Sequence, residues 1–412
     1  MKSHSASGKL LFSSLLKGLV LSLWLQLAFV AELSAQSGDD YTTTIPVRIV
    51  QGLMFADVVI DGETFNFLID TGAPFVLSPE VADRLDFDQK SSTSIGSSNN
   101  RRGTGRIGTI PHKVELGGLK FSGFQVLVVD YNANTELIRC LDFDGILGAN
   151  FMEGSIWHFN YDEQKVLITN ELKNVPRIRD TWRTKMREEG FGNSPHIPAG
   201  VNNGKKGYIL FDTGYSGFFD LPYRSYYKAV RAGKPLKGFK KLKGFGTMSE
   251  GVFGAEDTTG YYLQTPTITI GKEVIKQPTF EMSHSDDTKV GVFYMKGRLV
   301  TFDFKDEKFY VYEKEAPFYS TNISEYMLTF ALDNGTIRIG TLYGSLLDEG
   351  KLQVGDYLVS VDQKQVKEMD SCETIMWLRT QLRERQTPME IQVERNGRLI
   401  DYTLRRKPVF QE

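Results

Sequence analysis

The 412-residue chain sets 49 Lys and Arg against 51 Asp and Glu, a formal net charge of −2. That balance gives no electrostatic reason to expect a nucleic acid as partner. Apolar residues at 41% and charged residues at 24% exclude a disordered, collagen-like or coiled-coil protein, and the length suits two or three domains.

The chain opens with Lys2, Lys9 and Lys17 before an apolar run from Gly18 to Ala31. Ser34 and Ala35 then offer a small-residue cleavage site. The run falls short of the roughly 20 residues that span a bilayer. Residues 1–35 are therefore expected to be a signal peptide. The protein would be exported, periplasmic or secreted, with a membrane as partner only if this segment is retained.

The rest of the chain is mostly strand-like. Thr44 to Ile60 and Glu63 to Ile69 are rich in Val, Ile and Phe around the turn pair Asp61-Gly62. Lys113 to Val129 repeats that pattern around Gly117-Gly118. Helix is expected at Pro79 to Leu85, in the charged stretch Asp180 to Glu189, and at Ser371 to Glu384, where Ile375, Met376, Leu378 and Leu382 sit near helical spacing. Asn396-Gly397 predicts a type I′ hairpin turn.

An internal repeat organises the middle of the chain. Phe67–Ala73 (FLIDTGA) parallels Ile209–Tyr215 (ILFDTGY) at an offset of 142 residues. Leu147-Gly148 parallels Val290-Gly291, and Phe159 parallels Phe302, at an offset of 143. Gly103-Thr104-Gly105 parallels Gly244-Phe245-Gly246 at 141. Two mostly β lobes, 40–170 and 200–315, are expected, joined by a charged connection, 171–199. A separate segment, 322–408, contains Gly344 to Val361 and the Ser371 helix. The stretch Glu313 to Pro317 reads as a linker, so a fragment ending near Ala316 is expected to fold alone.

Asp70-Thr71-Gly72 and Asp212-Thr213-Gly214 each close an apolar strand. A buried Asp is costly without partners or a role. One such triplet also makes an ordinary turn. Two, at equivalent places in repeated lobes, would meet on a pseudo-twofold axis. Adjacent carboxyls share one proton over a wide pH range, so one can take a proton from water while the other donates to a carbonyl.

On these motifs the chain resembles the aspartic proteases of the pepsin and retropepsin group, in a two-lobed, single-chain, bacterial and exported form. The resemblance implies a mostly β fold: two pseudo-twofold-related lobes of that type plus a small α+β domain. It implies an endopeptidase whose dyad is Asp70 and Asp212. Thr71 and Thr213 would cross-link the catalytic loops, and Gly72 and Gly214 would permit close backbone approach. Gly103, Thr104, Gly105, Gly244, Phe245 and Gly246 would belong to substrate-covering flaps. Ile146-Leu147-Gly148 fits the family's hydrophobic-hydrophobic-Gly element, whereas Lys289-Val290-Gly291 fits two positions of three. Family members often place Ser or Thr after the glycine to donate to the carboxylate. Ala73 and Tyr215 stand there, so the acid limb of the pH–rate profile is expected to lie high.

The last segment resembles a PDZ domain, which implies peptide capture at a sheet edge. Tyr326, Met327 and Leu328 would line that groove, with a C-terminal peptide as possible ligand. The expected partner of the lobes is a peptide or protein substrate. No metal or cofactor is expected, because His112, His158, His196 and His284 lack ligand spacing. Arg101-Arg102 is either a solvated turn or a selector for acidic substrate residues. Cys140 and Cys372 permit one internal pairing but fall in different expected domains, so two buried free thiols are expected ahead of a bridge. The alternative function is a catalytically inactive peptide-binding protein on the same fold.

Overall fold

A computed structural model describes residues 40–96, 101–132, 135–202, 207–231, 238–251, 253–285, 287–314 and 324–410. The expected signal segment and the Ala316 end of the expected linker lie outside them. Among the described residues no helix is long and apolar enough to cross a membrane.

The fold is mostly β, with a strand pattern that occurs twice. Asp61 and Gly62 both take positive φ, 52° and 81°. The type I′ geometry this gives matches strand twist and folds Leu53–Ile60 back on Glu63–Asp70. Behind Glu63–Asp70 runs Gly145–Gly148 in parallel, with Asp70 opposite Gly148. In the second half Gly207–Asp212 pairs with Ser194–Val201 and runs parallel to Lys289–Gly291, with Asp212 opposite Gly291. Each DTG triplet therefore leaves the end of a strand whose residues are held by a parallel neighbour.

A six-stranded sheet joins the two halves. Its centre is the antiparallel pair Ile156–Asn160 and Arg298–Asp303, flanked by Lys165–Thr169 and Lys308–Glu313. The repeated Phe159 and Phe302 meet edge to face at 5.6 Å, and Phe211, next to Asp212, meets Phe302 edge to face as well, at 5.1 Å. Buried apolar side chains from both halves form one continuous cluster. The DTG loops thus stand on a shared core.

The stretch expected as a helix from Asp180 to Glu189 is not one. After a short 3₁₀ turn, Ile178–Asp180, it forms the strands Trp182–Lys185 and Arg187–Glu189. The physical reason is the open edge of the six-stranded sheet. Trp182–Lys185 pairs with Lys308–Glu313 there, and the Trp182 ring packs on Phe309. Pairing and burial override the helical propensity of a charged run. Strand Ser194–Val201 likewise begins inside the segment expected as a connection.

The C-terminal unit has its own apolar cluster. Leu328–Asp333, Thr336–Tyr343, Tyr357–Val361, Met389–Arg395 and Arg398–Leu404 form its strands. Helix Ser371–Glu384 packs on Leu328–Asp333. The helix starts where expected because the Asp370 carboxylate accepts from the Glu373 N–H at 3.0 Å.

This unit is joined to both lobes. Thr336–Tyr343 pairs with Lys240–Gly251 of the second lobe, so one sheet runs from lobe to C-terminal unit. On the other side helix Glu136–Leu141 of the first lobe packs against helix Ser371–Glu384 and strand Leu328–Asp333. Cys140 and Cys372 form a disulfide between these two helices, with Cα atoms 5.0 Å apart. This overturns the reading of two free thiols. Sequence separation kept the cysteines apart on paper, whereas helix packing brings them together.

Candidate active site

The two DTG loops face each other across reciprocal hydrogen bonds. The Thr71 N–H donates to Thr213 Oγ1 at 2.9 Å, and the Thr213 N–H donates to Thr71 Oγ1 at 3.1 Å. Each hydroxyl then donates onward to a backbone carbonyl of the opposite lobe: Thr71 to Phe211, at 2.5 Å, and Thr213 to Ile69, at 2.8 Å. Both threonines are fully buried, so removing either hydroxyl leaves buried polar groups unpaired.

This clasp brings the carboxyls together. The Gly72 N–H donates to Asp70 Oδ1 at 2.7 Å, and the Gly214 N–H donates to Asp212 Oδ1 at 2.9 Å. A Cβ on Gly72 would fall 2.8 Å from Asp212 Cγ, and one on Gly214 would fall 2.3 Å from Asp70 Cγ. Each glycine is needed because the other lobe's carboxylate lies against it.

The electrostatics are unequal. Burial pushes the Asp70 carboxyl well above the usual range, and the neighbouring Asp212 charge and their mutual hydrogen bond push it further. The Gly72 N–H and the Lys289 ammonium oppose the shift without cancelling it. Asp212, only 7% exposed, has a partner that Asp70 lacks: Lys289 Nζ lies 3.0 Å from Asp212 Oδ2. Tyr215 places its ring 4.9 Å from the same ammonium. Lys289 was visible in the sequence as the misfit of its motif, but its partner was not.

The residues expected as flaps lie in two hairpins. Gly103, Thr104 and Gly105 sit on Arg102–Thr109, paired with Asp88–Gly96. Gly244, Phe245 and Gly246 sit on Lys240–Gly251, paired with Gly254–Gln264. The hairpins touch: a Cβ on Gly103 would fall 2.2 Å from the Phe253 ring of the second hairpin, and Arg101 Nη1 donates to the Phe253 carbonyl at 3.5 Å. The second glycine pair has a further role. Gly244, Phe245 and Gly246 pair with Tyr343, Leu342 and Thr341 of the C-terminal unit. A Cβ on Gly244 would meet the Tyr343 ring at 2.4 Å, and one on Gly246 would meet the Gly340 carbonyl oxygen at 2.0 Å. These residues form a joint between units.

Tyr326, Met327 and Leu328 do not join this site, and they do not line an open groove. All three are buried in the core of the C-terminal unit. Tyr326 donates its hydroxyl to the Thr387 carbonyl, and the Met327 carbonyl accepts from the Tyr343 N–H at 2.9 Å. Helix Glu136–Leu141 packs against strand Leu328–Asp333 and helix Ser371–Glu384, and its Glu136 carboxylate accepts from the Gly335 N–H at 2.9 Å. Among the described residues no group of His, Cys, Asp and Glu is placed to hold a metal ion.

Comparison with known proteins agrees with the first lobe. Residues 56–151 match a protein family described as aspartyl protease, a span that includes Asp70, Thr71, Gly72 and Gly148. A search among curated proteins gives no match. Among solved structures the chain is similar to the aspartic proteinase from Irpex lacteus, with a TM-score of 0.41 and 12% identity, covering 68% of this chain and all of that one.

Proposed function

We propose that the protein is an exported aspartic endopeptidase of bacterial type that hydrolyses peptide bonds with a water held between Asp70 and Asp212. The observation that carries this reading is the pair of DTG loops clasped through Thr71 and Thr213, with both carboxyls brought together. With one proton shared by the pair, the ionised carboxylate takes a proton from water as the water oxygen attacks the scissile carbonyl carbon. The protonated carboxyl donates to the carbonyl oxygen. Return of a proton to the amide nitrogen breaks the C–N bond and releases acid and amine. No metal or covalent intermediate enters. The Cys140–Cys372 bridge supports an oxidising, exported location. The C-terminal unit is read as PDZ-like, with partner or peptide binding as its role.

The rival is a non-catalytic peptide-binding protein on the same fold. The ammonium against Asp212 favours it, because that carboxylate is already partly neutralised. Hydrolysis of a mixed peptide library by purified protein separates the two. Internal cleavage is expected, and Asp70→Asn or Asp212→Asn should each lower the rate at least about a hundredfold. Folded variants retaining about a tenth of the rate would exclude the acid–base role assigned to the pair.

A further inference from the structure

We propose that Lys289 is a positioning residue of the dyad: its ammonium gives Asp212 the donor that Tyr215 does not provide and leaves the shared proton on Asp70. The inference rests on the proposed acid–base role of the pair.

Strand register shows how unusual this lysine is. Lys289 stands opposite Leu210 as Ile146 stands opposite Leu68 in the first lobe. The repeat calls for an apolar side chain at that place. An ammonium among buried strands costs several kcal/mol unless it is closely paired. Here the pairing is close, at 3.0 Å, with both side chains no more than 10% exposed. Tyr215 contributes its ring face to the same cation.

The consequence is an asymmetric pair. Asp212 receives an amide on Oδ1 and an ammonium on Oδ2. Asp70 receives the Gly72 amide on Oδ1 and is followed by Ala73, which has no hydroxyl. Other charged or titratable groups face this site from every side. Asp220 on Phe219–Asp220 is buried and accepts from the Ser283 N–H and hydroxyl. Glu281 on Thr279–Met282, Tyr215 in the loop, Tyr262 on Gly254–Gln264, Arg379 on Ser371–Glu384 and Tyr343 of the C-terminal unit lie around them. Burial by itself would depress the Lys289 ammonium. Asp212, Asp220 and Asp70 outweigh it and raise the net value, so the cation persists through neutral pH.

The test labels aspartate carboxyl carbons and follows their titration by NMR, with the dyad signals assigned from Asp70→Asn and Asp212→Asn. In the wild type Asp70 should titrate well above the usual carboxylate range. Lys289→Met keeps the chain length and removes the charge. It should raise the lower of the pair's two titration midpoints by about one to three pH units, and the acid limb of kcat/KM should follow. A folded variant in which that lower midpoint is unmoved overturns the proposal. Should Lys289→Met not fold, the near-isosteric Asp212→Asn tests the pair from the other side. Lys289 should then lose its proton at lower pH than in the wild type, and an unchanged Lys289 titration overturns the proposal. A wild type that cleaves no peptide, with the midpoint shift still present on Lys289→Met, would remove the peptidase reading and leave only the pairing of Lys289 with the two carboxyls.

Discussion

At the scale of single residues, the dyad and its clasp were legible because the chemistry is repeated. Asp70, Thr71 and Gly72 recur as Asp212, Thr213 and Gly214, and a repeated motif implies a repeated place. Lys289 was legible only as a departure, since sequence does not show which carboxylate a buried cation will meet. Its position revises the expectation of a high acid limb. Asp212 has a charged donor, so the carboxyl without one is Asp70, and in the proposed mechanism that carboxyl would govern the alkaline limb. Ala73→Ser offers it a hydroxyl. A hydrogen bond to a charged group contributes about 1.5–3 kcal/mol, so the alkaline limb of kcat/KM should move down by up to about one or two pH units. An alkaline limb that stays in place or rises contradicts this account of Asp70. A second titration belongs to Glu281, which burial and then the Asp220 charge push up to about 7, against Arg379 and Tyr215. A carboxyl whose folded value is raised binds more protons in the native state than in the unfolded one. Its penalty is absent in acid and grows as pH rises toward about 7. Glu281→Gln should therefore gain melting temperature relative to wild type as pH rises through that window. Parallel curves for the two proteins would show that Glu281 does not titrate there.

At the scale of elements, turns and strands were the readable part. Asp61-Gly62 and Asn396-Gly397 both take the positive φ angles their turn type needs. The Ser371–Glu384 helix follows its apolar spacing and its Asp370 cap. Elements defined by distant partners were not readable. Trp182–Lys185 is a strand because a sheet edge awaits it, and nothing local says so. Helix Glu136–Leu141 is six residues long, too short for a period to show. The pairing of Lys240–Gly251 with Thr336–Tyr343 was also hidden, because the glycines read as flap residues serve this joint. Gly246 has φ of 130° and would set a Cβ against the Gly340 carbonyl. Gly246→Val should break the joint there, at a cost of about 1–3 kcal/mol. Amide exchange at Thr341 and Leu342 should speed up while Phe159 and Phe302 in the central sheet stay protected. Unchanged exchange at Thr341 would mean the two units hold together without this pairing.

At the scale of the whole molecule, the repeat gave two lobes and the C-terminal segment gave a third unit, but not how closely that unit is built in. A sheet joins it to the second lobe and a disulfide joins it to the first. Gln51 Nε2 also donates to the Met376 carbonyl at 2.9 Å. This changes the expectation for a fragment ending near Ala316. Such a fragment leaves Leu242, Met248 and Tyr262 without the core they pack on, so its second hairpin should lose order even where the dyad loops persist. The bridge is the more discriminating test, because it spans 232 residues. A cross-link over so long a loop restricts the unfolded chain strongly and typically contributes about 2–4 kcal/mol. Cys140→Ser with Cys372→Ser should lower the unfolding free energy by about that amount. The same change frees helix Glu136–Leu141 from its covalent hold beside strand Leu328–Asp333. If that helix occupies the place of a peptide, the double variant should bind a C-terminal peptide library more tightly than the wild type, measured by fluorescence anisotropy. Loss of stability with no gain in peptide binding would identify the bridge as a structural tie and the groove as permanently filled.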